Sequence, residues 1–301
     1  MISVNGLRKS YGDVEAVRGV DLHVDEGEIF AFLGPNGAGK TTTISVLEGY
    51  LARDAGEVSV LGLDPAEADR DWRGRVGFVL QECRMEPLLS VRETVELYAG
   101  YYERPRSVAE TIEQVGLIDK ADARAGRLSG GQQRRLDVAI ALIGDPELLF
   151  LDEPTTGFDP SARRQAWDVI AGLKHLGKTV MLTTHYMDEA QALADRVAVI
   201  VAGRIVAAGT PDDVGGRASA ATQISFGLPA SVSVSELPRG AERVDSGPSG
   251  RYLIRSADPV RDLNELTGWA LRRGVELSWL EVHQPSLEDV YLELTGEEAH
   301  R

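Results

Sequence analysis

The sequence contains a single cysteine, Cys83, among its 301 residues. One thiol excludes an internal disulfide framework and any zinc site built from cysteines. Apolar runs are also short, since none reaches the ~18–20 residues that a membrane span needs. The N-terminal Met1–Ser10 has no apolar signal-peptide core. From these absences we expect a soluble protein of a reducing compartment.

Basic residues are scarce, with 32 Lys and Arg against 47 Asp and Glu and a formal net charge of −15. Nucleic-acid binding depends largely on a basic surface that neutralises phosphates. The charge balance therefore predicts no nucleic-acid partner. Hydrophobic residues at 43% and charged residues at 26% are typical of a globular chain, and the length fits one large domain or two smaller ones.

Short apolar runs alternate with longer amphipathic stretches from Met1 to about Gly209, which is the pattern of an α/β domain. The stretch Thr41–Leu51 is predicted to be a helix. The predicted buried strands are Glu28–Leu33, Leu148–Leu151 and Thr179–Thr183, followed by a hairpin of Val197–Val201 and Ile205–Val206.

A composition shift at Asp212–Ala221, which is rich in small and polar residues, predicts a linker. We therefore divide the chain into residues 1–214 and a small α+β domain of residues 215–301. Ser286 and Asp289 resemble a capping box that opens a last helix, with Gly296 suited to its end. The other predicted elements are strands at Gln223–Gly227, Tyr252–Arg255 and Val275–Trp279, a helix through Val260, Leu263, Leu266 and Ala270, and an apolar stripe of Leu287, Val290, Tyr291 and Leu294.

A phosphate-binding loop is predicted at Gly34–Thr41, which fits G-x-x-x-x-G-K-[ST] between a buried strand and a helix. Its glycines let backbone N–H groups curl around phosphates, and the helix N-terminus adds a positive dipole end. Lys40 is expected to reach the outer phosphates, and the Thr41 hydroxyl to hold Mg²⁺. The expected nucleotide contacts are Gly34, Pro35, Asn36, Gly37, Ala38, Gly39, Lys40, Thr41 and Thr42.

In the stretch Leu148–Pro154, two acidic residues follow four apolar ones. Asp152 emerges at the predicted strand end, where a carboxylate can hold Mg²⁺. Glu153 follows it and is the predicted general base for an attacking water.

A second anion cradle is predicted at Leu128–Gln132, which is followed by Gln133-Arg134-Arg135. A helix is predicted to begin at Ser129, Gly130 and Gly131, and Gln132 is the next residue. The N-terminus of a helix favours an anion. Since one phosphate-binding loop needs one such cradle, the second suggests that two subunits close each ATP. A stand-alone nucleotide kinase would leave this motif unexplained.

With these motifs in order, Met1 to about Gly209 resembles the ATP-binding-cassette (ABC) ATPases. The resemblance implies a P-loop cassette fold with an antiparallel β subdomain and a helical subdomain at about residues 82–145. It also implies roles for four residues: Gln81 in the glutamine loop that contacts Mg²⁺ and the attacking water, Asp159 in the D-loop, His185 as the switch histidine, and Tyr11 stacked on adenine. The D-loop has Phe158 where the family usually has leucine.

The C-terminal Gln284–Gly296 and the stretch Leu89–Ala99 are similar to ATPase subunits of ABC-2-type exporters of the daunorubicin-resistance kind. This resemblance implies an ATPase that uses ATP and Mg²⁺ and works as a head-to-tail dimer with a second copy of itself. It also implies a separate ABC-2-type permease and a peripheral place on the cytoplasmic face of the cell membrane. The expected cargo is a drug, an antibiotic or a lipid-like molecule.

The alternative is a cassette ATPase that acts on ribosomes or DNA. Translation-type members carry two cassettes per chain, whereas this chain has one. Chromosome-type and repair-type members interrupt the cassette with a long coiled coil, and the segment between Lys40 and Leu128 has no heptads. For the C-terminal domain, we expect that it holds two copies together while the nucleotide sites open, with packing within its own chain as the alternative.

Overall fold

The computed structural model describes residues 1–80, 85–219, 221–229, 232, 241–243, 250–284 and 286–298. Gln81 and Cys83 lie outside the described residues. The chain divides into two compact units, Met1–Pro211 and Asp212–Arg301. The division falls three residues before the domain boundary expected from composition.

The first unit contains both strands and helices. Short 3₁₀ turns join several of them. In chain order its elements are β1 (Ile2–Tyr11), β2 (Val14–Val24), β3 (Ile29–Leu33), α1 (Lys40–Leu47), β4 (Ala55–Val60), α2 (Arg70–Gly74), β5 (Val76–Val79), α3 (Val91–Ala99), α4 (Val108–Gln114), α5 (Gly130–Leu142), β6 (Leu148–Asp152), α6 (Pro160–His175), β7 (Thr179–Thr184), α7 (Met187–Leu193), β8 (Arg196–Val201) and β9 (Arg204–Gly209).

Two sheets form the β structure of this unit. The first is antiparallel, in the order β2-β1-β4, and the second has the order β5-β6-β7-β3-β8-β9. In the second sheet the strands β5, β6, β7, β3 and β8 run parallel to one another. The last strand, β9, pairs antiparallel with β8. Because parallel strands end at the same edge, the register places Leu33 beside Thr184 and Asp152 beside Thr183. The residues that follow β3, β6 and β7 therefore share one edge.

Burial explains why the central strands are mainly apolar, with β3 apolar throughout and β7 apolar at its centre. Every residue of β3 and β7 is buried, as expected for a parallel sheet covered on both faces. The core of this unit joins both sheets through α1, with Phe32, Leu47 and Trp72 among its buried members. The Trp72 indole Nε1 donates to the Val60 carbonyl oxygen at 2.9 Å, so this buried N–H has a partner.

The region of α3, α4 and α5 corresponds to the expected helical subdomain. All three helices begin at serine caps. Ser90 and Ser129 form capping boxes with Glu93 and Gln132, and Ser107 caps α4. The second of these boxes fixes the start of the predicted anion cradle.

The second unit is a small α+β body. Its elements are β10 (Thr222–Leu228), β11 (Ala241–Arg243), β12 (Gly250–Ser256), α8 (Pro259–Arg273), β13 (Ser278–His283) and α9 (Leu287–Glu298). The described strands form one antiparallel sheet in the order β11-β12-β10-β13. The core of this unit includes Phe226, Tyr252 and Leu266.

The α/β class with a second α+β body is confirmed, whereas some element bounds differ from the predictions. The first helix ends at Leu47 rather than Leu51, because the chain turns at Gly49 with φ +76°. The strand expected from Val275 begins at Ser278. The last helix continues through Gly296 to Glu298, so that glycine does not end it. Among the described residues, no helix is both long and apolar enough to cross a membrane.

Candidate functional site

Two glycines shape the loop between β3 and α1. At each of them a side chain would displace the backbone of a neighbouring strand. Gly39 has φ 106°, and a Cβ there would lie 2.5 Å from the Ala16 carbonyl oxygen of β2. A Cβ on Gly34 would lie 2.5 Å from the Ile200 carbonyl oxygen of β8. The loop is thereby held close against two strands, with the N-terminus of α1 at its end.

Lys40 places its ammonium group inside this loop. The residue is 6% exposed, and its Nζ donates to the carbonyl oxygens of Gly34 at 2.7 Å and Pro35 at 3.2 Å. Burial lowers the pKa of Lys40, while the carboxylates of Glu153 and Asp152 oppose that shift. A bound phosphate would give this cation an anionic partner in place of neutral carbonyls. Thr41, next in the chain, is exposed at the first turn of α1.

The acidic pair lies at the shared edge of the sheet. The Thr183 hydroxyl of β7 donates to Asp152 Oδ1, so the strand pairing fixes the direction of that carboxylate. Glu153 has φ 45°, an uncommon backbone conformation for a residue with a side chain. Its backbone N–H points to Thr183, with the carbonyl oxygen at 3.1 Å and Oγ1 at 3.0 Å.

Glu153 faces the histidine that follows β7. Its Oε1 lies 3.4 Å from His185 Nδ1, and its Oε2 accepts a hydrogen bond from the Thr156 hydroxyl at 3.0 Å. The His185 and Tyr186 rings lie 4.1 Å apart, and the Arg163 guanidinium lies 4.2 Å from the Tyr186 ring centre. A carboxylate and an imidazole in this arrangement can orient a water molecule and accept a proton from it.

A separate cavity of about 270 Å³ is lined both by Ser129 of the predicted anion cradle and by Asp159 of the predicted D-loop. Ser129 caps α5, while Asp159 Oδ1 caps α6 by accepting from the N–H groups of Ser161 and Ala162, both at 2.9 Å. Among the described residues, none that lines this cavity belongs to the Gly34–Thr41 loop or to β6. The lining residues are Ser129, Gly131, Gln132, Arg135, Asp159, Ser161, Ala162 and Gln165.

Tyr11 is half exposed at the end of β1, where it pairs with Val14 of β2. Ala16 of the same hairpin abuts Gly39, so the hairpin adjoins the predicted phosphate-binding loop. An aromatic ring at this hairpin end is open to stacking by a flat base.

Sequence reasoning missed two buried carboxyl groups near this edge. Glu189 of α7 accepts hydrogen bonds from Thr155 Oγ1 at 2.8 Å and Trp167 Nε1 at 3.2 Å. Burial raises the pKa of Glu189. Burial, with a further contribution from nearby Asp152, raises the pKa of Glu48 to about 7. Neither residue belongs to a sequence motif. The one signal for Glu189 is that it is a charged residue on the buried face of a helix, α7.

Comparison with known proteins extends over both units. Residues 17–156 match the ABC transporter family model, and residues 222–286 match a C-terminal domain of ABC transporter domain-containing proteins. The chain is 39% identical to the daunorubicin resistance ATP-binding protein DrrA3 of Streptomyces coeruleorubidus, over 99% of this chain and 96% of the relative. It is 41% identical to the Nod factor export ATP-binding protein I of Rhizobium sp. strain N33, over 100% and 98%.

A solved structure has a similar fold over most of the chain. The dimeric post-hydrolysis state of the ATP-binding cassette MJ0796, bound to ADP and Pi, is 28% identical and covers 70% of this chain and 98% of its own, with a TM-score of 0.62. The glycine loop around a buried lysine and the acidic edge beside it are the parts of a nucleoside triphosphatase. With relatives that match along nearly its whole length, the chain belongs to the ABC transporter family, as an ATP-binding ATPase.

Proposed function

We propose that this protein is the nucleotide-binding subunit of an exporter and that it powers the movement of a small molecule through a separate ABC-2-type permease. The observation that carries the proposal is the match over both units to relatives named for drug resistance and for Nod factor export. The cargo would be a drug, an antibiotic or a lipid-like molecule. The protein would lie peripherally on the cytoplasmic face of the membrane, where its permease holds it.

Each site residue has a proposed role in ATP hydrolysis. Lys40 binds the outer phosphates, and Tyr11 stacks on adenine. The hydroxyl of Thr41 and the carboxylate of Asp152 are oxygen donors of the kind that Mg²⁺ prefers, which supports a magnesium site with Gln81 as a further ligand. Glu153 accepts the proton of the attacking water, and His185 contacts the γ-phosphate.

The cavity beside Ser129 supports a site shared by two copies. We propose that Ser129, Gly130, Gly131 and Gln132 close the ATP held by the loop of a second copy in a head-to-tail dimer. Asp159 lines the same cavity at the proposed seam. Two ATP molecules would then be enclosed per dimer, each between two chains.

A transport assay tests the exporter role. In proteoliposomes with its permease, the wild-type protein is expected to show permease-stimulated ATPase and ATP-dependent uptake of daunorubicin or a fluorescent lipid. Lys40→Ala removes a charge-assisted contact worth ~1.5–3 kcal/mol, so nucleotide affinity and uptake should both fall. Lys120→Ala, at an exposed lysine outside the motifs, is the control. Co-sedimentation with ribosomes, without any effect of the permease on ATPase rate, would instead favour the non-transport alternative.

The second unit is proposed to help hold the dimer together. Leu287 and Val290 are buried within the chain, so that part of the predicted stripe is not free for a partner. The edge strand β13 is exposed along its whole length, with Trp279 62% and Val282 45% exposed. This edge, rather than the α9 stripe, is the surface that we assign to a second copy.

Ending the chain at Pro211 is expected to leave ATP affinity unchanged, because every described motif residue lies in the first unit. Dimerisation and permease-stimulated ATPase should weaken. Analytical ultracentrifugation and a reconstituted ATPase assay measure both, with Trp279→Glu as a milder variant of the full-length chain. Unchanged values in both variants would show that the second unit only packs against its own strands.

A further inference from the structure

The guanidinium group of Arg134 on α5 donates hydrogen bonds to three backbone carbonyl groups in two segments of the first unit. The residue is 8% exposed. Its Nη2 donates to the Asp152 carbonyl oxygen at 2.6 Å, its Nε to the Pro154 carbonyl oxygen at 3.2 Å, and its Nη1 to the Leu80 carbonyl oxygen. The sequence offered no signal for these contacts, since the three acceptors are 18, 20 and 54 positions away.

Two of these acceptors flank Glu153 on both sides. The carbonyl groups of Asp152 and Pro154 are held by one planar group, and Glu153 between them has the uncommon φ of 45°. The third acceptor, Leu80, is the last described residue before position 81. One side chain therefore ties the helix that begins at Ser129 to the backbone around the proposed general base.

The geometry requires an arginine. Its planar guanidinium presents N–H donors in a fixed fork, whereas a lysine ammonium is a point charge on a flexible stem. Asp137 lies one turn further along α5, with Oδ2 3.8 Å from Arg134 Nη1, and both side chains are less than 10% exposed. The buried cation is thus compensated by a carboxylate and by carbonyl dipoles, as a buried charge must be.

We propose that Arg134 is a positioning residue for hydrolysis, which fixes the backbone on both sides of Glu153 relative to α5 and so directs the Glu153 carboxylate. The proposal rests on the proposed role of Glu153 as general base. The acceptors described for Arg134 are the carbonyls of Leu80, Asp152 and Pro154, whereas Lys40 donates to those of Gly34 and Pro35. Removing the guanidinium of Arg134 should therefore slow the hydrolytic step and leave ATP affinity unchanged.

The test compares kcat and KM for ATP in Arg134→Lys and Arg134→Gln. A misplacement of about 1 Å at a catalytic group can cost about 10²-fold, so we expect kcat to fall by about 10–100-fold with KM within about threefold of wild type. Arg53→Lys is the matched control, because Arg53 also makes three hydrogen bonds, one to the Gly56 carbonyl and two to Asp64, outside the site. Guanidine added to Arg134→Ala should restore part of the rate. A wild-type kcat in Arg134→Lys, or a KM that rises as kcat falls, would overturn the proposal.

A double variant separates this proposal from the role of Glu153. If Arg134 acts through Glu153, Arg134→Lys should add no further loss to Glu153→Gln. Multiplicative losses would show that Arg134 acts by another route. An active Glu153→Gln protein would refute the general base itself, whereas an inactive Glu153→Gln beside a fully active Arg134→Lys would refute the positioning role alone.

Discussion

Replacing Glu153 by Gln is expected to slow ATP hydrolysis by about 10²–10⁴-fold, the usual contribution of a general base. The amide has nearly the same shape and can still accept from the Thr156 hydroxyl, but it cannot take the proton of a water molecule. ATP affinity should be nearly unchanged, because Lys40 and the glycine loop are untouched. Single-turnover hydrolysis and equilibrium titration with a fluorescent ATP analogue measure the two quantities.

Glu147→Gln is a matched control for this variant. Glu147 lies one residue before the same strand and pairs with Arg75 at the surface at 2.6 Å. Its loss should leave both the hydrolysis rate and ATP affinity near wild type. Wild-type turnover in Glu153→Gln with the permease present would show that another group accepts the proton.

Ser129→Arg, combined with Glu153→Gln, is expected to abolish dimerisation driven by ATP. The variant places a long cationic side chain in the cavity beside Asp159 and removes the hydroxyl that caps α5. Nucleotide binding by the monomer should persist, because no described residue of the Gly34–Thr41 loop lines that cavity. Light scattering with and without ATP measures the change in mass.

The control is Ser107→Arg in the same background. Ser107 caps α4 in the same helical region but does not line the cavity. Both substitutions lose a helix cap, which costs ~1 kcal/mol, so a general loss of stability would affect both proteins alike. Dimerisation of the Ser129→Arg protein at the level of Ser107→Arg would contradict the two-subunit site.

Some features followed from short stretches of sequence. The phosphate-binding loop could be predicted because such a loop depends on glycines and consecutive backbone N–H groups in one short stretch. The structure leaves no room for a Cβ at Gly34 or Gly39 of that stretch. The buried strands were recognisable because a parallel sheet covered on both faces needs unbroken apolar runs. Element ends were less accurate, as at Leu47 and Glu298, because a helix end depends on what the next residues contact.

The α/β class, the two-part division of the chain and the family could be predicted from the sequence alone, because each depends on residues that are neighbours in the chain. Which of those residues meet depends on the tertiary structure. Strand register brings Thr183 to Asp152 and His185 to Glu153, and the packing of α5 brings Arg134 to the carbonyls around Glu153. Such contacts join residues tens of positions apart, and their geometry is set by the sheet and the packed helices rather than by any local pattern.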